Sequence, residues 1–334
     1  MARRSQTSPG SISPTQPRRR LGVLERLLGG PQQPRQLFCR NYPAIREALE
    51  HFHELGVLLL LFSRRGQLIA GHWVDAVPDK PHAALIGRHG RCDLVVPARY
   101  SELSLRHLAV LVRAVGVDEV TLRIIDLHTE LGFADESGRS LRAIEAQGPV
   151  FVRLGELTLA ALVTGDSAPI AGDANDAFDC IPPRVFLRER STSPGALIRG
   201  RVERDLLSGC TRVHQRPAAL PLGQLPATSR EQIGTLWIES KRGFSCRPLR
   251  AIDLARGILI GRYERCDVIG GNIVDHRLSR VHLLLIADGS ELFAVDTASS
   301  NGSRLKQRPI ALVHFDPGTT LVLGDTVKIF WRRG

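Results

Sequence analysis

Three short motifs near the C-terminus combine arginine, serine and asparagine, which are residue types suited to binding an anion. Arg262 follows an apolar segment, and Ser279 and Arg280 directly precede another. Asn301 lies in a Ser-Asn-Gly turn further along the chain. Guanidinium and hydroxyl groups donate hydrogen bonds to phosphate oxygens, whereas a side-chain amide both donates to and accepts from a peptide backbone. The arginines and the serine therefore predict a site for an anion, and the asparagine is suited to hold a peptide backbone.

The chain also repeats itself, because segments of its first half recur in the same order in its second half. The segment ALIGRHGRCDLV, from Ala84, matches ILIGRYERCDVI, from Ile258. The segment SLRH, from Ser104, matches SRVH, from Ser279. Each copy spans roughly 100 residues, the usual size of one domain. Its segments are short, apolar or alternating, and separated by glycine, aspartate and proline, a pattern that predicts two all-β sandwich domains.

The motifs of the second copy resemble those of the forkhead-associated (FHA) domain family, and the resemblance covers essentially the whole copy. It rests on three motifs that follow one another at domain-length spacing: Gly261-Arg262, Ser279-Arg280-Val281-His282 and Ser300-Asn301-Gly302. The resemblance implies a β-sandwich that binds phosphothreonine peptides through the loops at one end.

The resemblance also implies a role for each residue of these motifs. The phosphothreonine peptide is expected to contact Arg262, Ser279, Arg280, Ser300 and Asn301. Within this set, Asn301 is expected to hold the peptide backbone. Three further residues are expected to be structural: Gly261, His282 and Gly302. Histidine at the start of a strand braces the loop, and the last glycine allows the tight turn that follows.

The first copy departs from the pattern at the positions that touch the ligand. Arg88 and Ser104 are retained and form a weaker candidate site. However, Leu131 occupies the position of the second copy's asparagine, Glu130 that of its serine and Leu105 that of its second arginine. Leucine makes none of the hydrogen bonds of an amide, and glutamate repels a phosphate. The first copy is therefore predicted to bind weakly or not at all.

Composition and motifs together divide the chain into segments. The first residues are rich in proline, serine and arginine and contain little to bury, which predicts disorder. Asn41 is suited to cap a helix whose apolar residues recur at helical spacing up to Phe52. The predicted segments are a disordered basic tail (1–40), a short helix (41–56), a degenerate FHA-like β-sandwich (57–164), a flexible Pro/Gly-rich linker (165–231) and an FHA β-sandwich (232–334).

Charge and cysteine content narrow the classes of function. The formal net charge of +11 favours anionic partners without specifying which. The six cysteines lack the spacing of a zinc site, so no metal or other cofactor is expected, and a reducing cytoplasm is predicted. No apolar run reaches the length of a membrane span, so no membrane partner is expected. The sequence contains no nucleotide-binding or hydrolase motif, and we expect a protein that is not an enzyme.

These observations predict a cytoplasmic adaptor that binds phosphothreonine through its second copy, in serine/threonine-kinase signalling. The expected partner is a phosphothreonine-containing protein, such as a serine/threonine kinase or its substrate. Thr7 and Thr192 lie in near-identical TSPG sequences and are candidate phosphorylation sites for binding in cis or in trans. An alternative is a basic protein associated with nucleic acid, for which the FHA folds serve as scaffold. A purely structural adaptor is a third possibility.

Overall fold

The apolar run that begins at Gly56 forms a central strand of the fold, and the computed structural model explains why the run contains no polar residue. Strand β1 (Gly56–Phe62) is buried along its whole length. One of its faces packs into the core of a β-sandwich, and the other is covered by helices. A strand buried on both faces has a continuous apolar sequence rather than an alternating one.

The structure describes most of the chain from Gln33 onwards, and Gln33–Gly334 form one compact unit. Most of the predicted tail, including Thr7, lies outside the described residues, as does Thr192. The described ranges are 33–78, 80–115, 119–166, 168, 170, 172–181, 185–191, 197–199, 232–269, 276–288 and 291–334.

The first module consists of β1 and the nine strands that follow it. These are β2 (Leu68–Asp75), β3 (His82–Gly87), β4 (Leu94–Val95), β5 (Leu108–Val115), β6 (Glu119–Asp126), β7 (Phe133–Ala134), β8 (Ser140–Gln147), β9 (Val150–Leu154) and β10 (Leu157–Thr164). Their hydrogen-bonded order is β2-β1-β10-β9-β7-β8-β6-β5-β3-β4. Strand β8 pairs with both β6 and β7 and so connects the two halves of the sandwich.

Three short helices cover the outer face of β1 and β10. They are α1 (Pro34–Arg40), α2 (Tyr42–His51) and α3 (Ala174–Asp179). Proline occupies the first turn of α1 and of α2, where its missing N–H costs no intrahelical bond. The helices bury an apolar stripe against the strands that includes Leu37, Phe38, Tyr42, Ile45, Leu49, Ala177 and Phe178.

Two helices and two strands lie in segments that the sequence predicts to be a disordered tail or a linker. The sequence predicts disorder up to residue 40, whereas α1 folds there because its Leu37 and Phe38 are buried. It predicts a linker over 165–231 that carries one strand-like piece, PRVFLRER, whereas α3 also lies within that range. Strand β11 (Val185–Ser191) pairs with β8, and β12 (Leu197–Arg199) pairs with β11. Part of the predicted linker therefore belongs to the first module.

The described residues of the second module form two sheets and one helix. The elements are β13 (Gln232–Ser240), β14 (Gly243–Arg250), α4 (Ala251–Arg256), β15 (Ile258–Gly261), β16 (Val268–Ile269), β17 (Leu283–Asp288), β18 (Glu291–Asp296), β19 (Ser303–Leu305), β20 (Arg308–Ile310), β21 (Leu312–His314), β22 (Leu321–Leu323) and β23 (Val327–Arg333). The strand order is β14-β13-β23-β22-β19-β20 in one sheet and β16-β15-β17-β18-β21 in the other. The sequence predicts an all-β class, and the structure confirms a mostly-β fold.

The two modules pack against each other through apolar side chains. Along β17, Leu283 and Leu285 face the core of their own module, whereas Leu284 and Ile286 join a cluster shared with the first module. The first module contributes Ile125 and neighbouring apolar residues to this cluster. Both faces of β17 are therefore covered, which explains its unbroken apolar sequence. The sequence predicts a flexible connection between the modules, but their contact buries a continuous apolar face.

Candidate functional site

Three loops of the second module meet at one end of its sandwich, and they carry the residues predicted to bind the ligand. Arg262 N donates to Ser279 O at 3.0 Å. The Ser279 hydroxyl accepts a hydrogen bond from Ser300 N at 2.8 Å. Asn301 Nδ2 donates to Arg277 O at 2.7 Å. The structure therefore brings the loops of the predicted arginine, serine and asparagine together.

Two glycines allow these loops to approach one another. A Cβ atom on Gly261 would lie 2.1 Å from Arg280 O and 2.9 Å from Cys266 Sγ, so only glycine fits there. Gly302 has φ +74°, in the left-handed region that favours glycine. Its carbonyl accepts from Gly324 N at 3.0 Å, which fixes the turn against the strand pair β22–β23.

The predicted structural histidine links two of the loops from inside the module. His282 is 0% exposed. Its Nδ1 accepts from Ser279 N at 3.0 Å, and its Nε2 donates to Gly302 O at 3.2 Å. Burial lowers the pKa of His282, and this effect is opposed by Asp296 and by the bond to Gly302. The imidazole is therefore neutral with its proton on Nε2, and it holds the loops in place.

Asp296, which lies outside the three sequence motifs, organises the loop before Asn301. Its carboxylate accepts from Ser299 N and from Ser299 Oγ, each at 2.7 Å. It also accepts from Ser303 Oγ at 2.6 Å. The signal in the sequence is an aspartate three residues before a serine, since aspartate commonly bonds to the backbone of a following turn.

The exposure of the site residues suits non-covalent binding of an anion. Arg262, Arg280, Ser300 and Asn301 are exposed, whereas Ser279 is only 8% exposed. Exposed guanidinium groups are available to a ligand from solution, and the buried hydroxyl is held in one place by the backbone. An esterified phosphate carries close to two negative charges and three acceptor oxygens. Positive charge and fixed donors together match that chemistry.

The first module repeats the framework of this site. Arg88 N donates to Ser104 O at 3.2 Å, and Ser104 N donates to His107 Nδ1 at 3.1 Å. His107 Nε2 donates to Gly132 O at 2.9 Å. Burial lowers the pKa of His107, as it does that of the matching histidine. The loops that carry Arg88 and Ser104 therefore converge in the same way as those of the second module.

The side chains at the tip of the first module's loops make different contacts. Arg88 Nε donates to Leu103 O in its own module, and the side chain is half-buried. Glu130 forms an ion pair with Arg265 of the second module. Leu131, at the position of the second module's asparagine, is 39% exposed. The first module therefore has no amide at the position of Asn301, and it has a carboxylate where the second module has the hydroxyl of Ser300.

A cavity of 260 Å³ lies between the first module's loops and the second module. Ser104 and Glu130 line it from one side, and Tyr263 and Arg265 line it from the other. The second module therefore borders the place where a ligand of the first module would bind.

A comparison with protein families identifies the part of the chain that carries the three loops. Residues 258–329 match the FHA domain. This FHA segment begins at β15 and ends in β23, and it contains the whole set of converging residues. It includes Gly261 and His282, which hold the loops together.

Solved FHA domains are similar to the chain over about the length of one module. One comes from a structural and functional analysis of phosphothreonine-dependent FHA domain interactions; it is 25% identical, covers 30% of this chain and 95% of that chain, and has a TM-score of 0.26. The FHA-1 structure from Mycobacterium tuberculosis is 22% identical, with coverages of 30% and 99% and a TM-score of 0.25. An FHA domain from Chlamydia trachomatis is 18% identical, with coverages of 30% and 96% and a TM-score of 0.26.

The search of curated proteins finds no significant match to the sequence. Among the described residues, no helix combines the length and the apolar character needed to cross a bilayer.

Proposed function

We propose that the second module binds phosphothreonine peptides reversibly and that the chain serves as an adaptor rather than an enzyme. Arg262 and Ser279 hold the phosphate in this proposal. Arg280 and Ser300 assist them, and Asn301 holds the peptide backbone. The setting we propose is signalling by a serine/threonine kinase, with a phosphorylated kinase or substrate as the partner.

The single observation that carries the proposal is the convergence of three loops inside the FHA segment. Ser279 Oγ and Ser300 N lie 2.8 Å apart, and Asn301 bonds to the loop before Ser279. A phosphate bound between these loops would lie beside two exposed arginines and a fixed hydroxyl. Charge-assisted hydrogen bonds of this kind are stronger than those between neutral groups. The amide supplies the donor and acceptor that an extended peptide backbone needs.

We propose that the first module is also an FHA domain, but a degenerate one that binds no phosphopeptide. Two observations support a copy: the matching bonds of Arg88, Ser104 and His107, and the matching left-handed residues His128 and Ala298. The lost asparagine and the ion pair of the glutamate with the second module support the loss of binding.

The test is the binding of a degenerate phosphothreonine peptide library to the full chain, compared with the same library after phosphatase treatment. We expect binding only to the phosphorylated library. Arg262→Ala should weaken it by roughly 10- to 100-fold, because charge-assisted bonds are lost. Arg308→Ala is the matched control, since it removes an exposed arginine at the β19–β20 turn, and it should change affinity less than about twofold. Equal binding of both libraries would refute the proposal.

Nucleic acid is the second candidate ligand, favoured by the net charge of +11 and a sequence pI of about 10.1. Binding to duplex DNA through backbone phosphates falls steeply with salt and is insensitive to sequence. A titration of fluorescent DNA between low and high salt separates the two candidates. Tight DNA binding that Arg262→Ala leaves unchanged would favour the scaffold alternative.

Two threonines of the chain are candidate internal ligands. Thr7 and Thr192, which lie outside the described residues, would bind the second module only when phosphorylated. Mass spectrometry of the protein from its own host measures their modification, and two unmodified threonines would remove this hypothesis. A cytoplasmic location likewise stays a prediction from the cysteines.

A further inference from the structure

Two arginines of the first module bind backbone carbonyls in the second-module loop that carries the site asparagine. Arg91 Nη1 donates to Ser299 O at 2.9 Å and to Ser300 O at 3.0 Å. Arg106 donates to Ala298 O from Nε, at 3.2 Å, and from Nη2. Three consecutive carbonyls of the loop are therefore held by side chains of the other module.

The loop adopts a backbone conformation that needs support. Ala298 has φ +56°, in the left-handed region that a residue with a Cβ atom rarely adopts. Asp296 fixes Ser299 from within the second module. Arg106 adds its bonds to Ala298 O, the carbonyl of the left-handed residue itself. A residue with a Cβ atom keeps a left-handed conformation where several surrounding contacts hold it there.

The two arginines differ in burial, and each is suited to hold a carbonyl. Arg106 is half-buried, and burial lowers its pKa. Cys92 and Asp296 oppose this effect and raise the pKa. A guanidinium removed from water requires acceptors, and the loop carbonyl provides one. Arg91 is exposed and bridges two neighbouring carbonyls. A side chain that bridges successive peptide groups restricts the backbone between them.

The contact is asymmetric although the modules are similar. Arg265 of the second module occupies the position that matches Arg91, and it binds the carboxylate of Glu130 rather than backbone carbonyls. Val281 occupies the position that matches Arg106 and has no charged group. Among the described residues, the second module's loop therefore has its backbone held by two guanidinium groups from its neighbour, and the matching loop of the first module does not.

We propose that the first module acts as a positioning partner for the second module's binding loop. Arg91 and Arg106 hold residues 298–300 in the conformation that presents Ser300 and Asn301 to the ligand. Both are positioning residues, since they contact the loop rather than the peptide. The expected effect on affinity rests on the proposed function, whereas the ordering of residues 298–300 by the two arginines does not.

The experiment uses the full chain with the double variant Arg91→Ala/Arg106→Ala. Hydrogen–deuterium exchange of residues 298–302 is measured without ligand, and the affinity for the degenerate phosphothreonine library is measured in parallel. We expect exchange in this segment to rise on the order of tenfold or more, since several hydrogen bonds are lost. Affinity should fall by a similar factor, because the peptide must then order the loop. Arg91→Lys combined with Arg106→Lys should recover part of both.

The matched control is Asp288→Asn, which breaks an ion pair between Asp288 and Arg113 at the opposite end of the same interface. It should leave exchange of residues 298–302 and affinity within about twofold of wild type. Unchanged exchange in the double alanine variant would overturn the inference, as would an equal rise in the control. If the wild-type chain binds no phosphopeptide, the proposed function fails, and the exchange data alone decide the inference.

Discussion

In the proposed site, the Ser279 hydroxyl has two roles, one in the loop and one toward the ligand. It accepts a bond from Ser300 N, and a hydroxyl that accepts one bond still has its proton to donate. The residue is almost fully buried, so its rotamer is set by the loop rather than by the ligand. The matching serine of the first module, Ser104, has the same backbone environment but lacks the neighbouring asparagine. Variants of the two serines therefore distinguish the loop bonds that both modules share from the ligand contact proposed for the second module.

Ser279→Ala is expected to weaken phosphothreonine-peptide binding by about tenfold, since a phosphate contact and a loop bond are lost together. It should also destabilise the chain by about 1 kcal/mol, because Ser300 N loses its acceptor. Isothermal titration and thermal unfolding measure the two effects. Ser104→Ala is the matched variant and should leave affinity unchanged. An equal loss of affinity in both variants would show that the first module also binds the peptide.

The buried histidines make stability depend on pH. Burial lowers the pKa of His282 and of His107 in the folded chain, so the unfolded chain binds more protons below the unperturbed value of about 6.5. The stability that these histidines contribute is fully present above that pH and is lost as the pH falls from it through the lower pKa of the folded chain. We expect the free energy of unfolding to fall with a slope of up to about 1.4 kcal/mol per pH unit for each histidine.

Chemical unfolding between pH 7.5 and pH 5 tests this expectation. His282→Gln should be less stable at pH 7.5, yet its stability should fall less steeply on acidification. His53→Gln is the control, because His53 is exposed, and it should retain the wild-type slope. A slope that the buried-site variant leaves unchanged would contradict the assignment.

At the scale of elements, the site depends on how closely strand ends approach the loops. Strand β15 ends at Gly261, whose backbone passes directly beside the carbonyl of Arg280. Gly87 of the first module has the same close approach, with a Cβ position 2.3 Å from Leu105 O. Glycine is therefore needed here for the close approach of two backbone segments rather than for ligand contact, because it recurs in the first module, where the candidate ligand residues differ.

Gly261→Ala is expected to destabilise the chain by more than about 2 kcal/mol, because the added methyl group meets backbone that cannot move without separating two loops. Thermal unfolding should show the loss, and peptide affinity should fall with it. Gly90→Ala is the control, since no atom lies within 4 Å of its Cβ position and its backbone is not left-handed. A stable Gly261→Ala variant with normal affinity would be inconsistent with the packing described.

For the molecule as a whole, the contact between the modules has both an apolar and a polar part. Leu284 and Ile286 of β17 face Ile125 and its neighbours, and Arg123 Nη1 donates across the contact to Ala287 O at 2.7 Å. A shared apolar cluster couples the stability of two modules, since neither can unfold without exposing the other. The interface also joins loops of the two modules, since Glu130 pairs with Arg265, and Arg91 and Arg106 bind backbone carbonyls of the second module.

Leu284→Asp is expected to cost about 3–5 kcal/mol, because it places an unpaired charge in the apolar contact. The wild-type chain should unfold in one calorimetric transition, and the variant should show two, as the modules separate. Phe244→Asp introduces the same charge at a position that is 75% exposed, and it should leave the single transition intact. Two transitions already present in the wild-type chain would exclude the coupling.

The sequence by itself determined the strands and the composition of the candidate site. Arg262, Ser279 and Asn301 were selected from residue type, because phosphate chemistry restricts which side chains suit each position, and the resemblance to FHA domains added Gly261 and Gly302. The mostly-β class followed from short apolar segments separated by turn residues. These are local properties, which a sequence displays directly.

Only the tertiary structure decided what the two copies do to each other. Nothing in the sequence around Arg91 or Arg106 indicates that their partners are the carbonyls of residues 298–300, because a backbone carbonyl is present at every residue. The pairing of Glu130 with Arg265 and the burial of Leu284 likewise depend on how two complete sandwiches dock. Such contacts join residues far apart in the chain, and they arise only when folded surfaces meet.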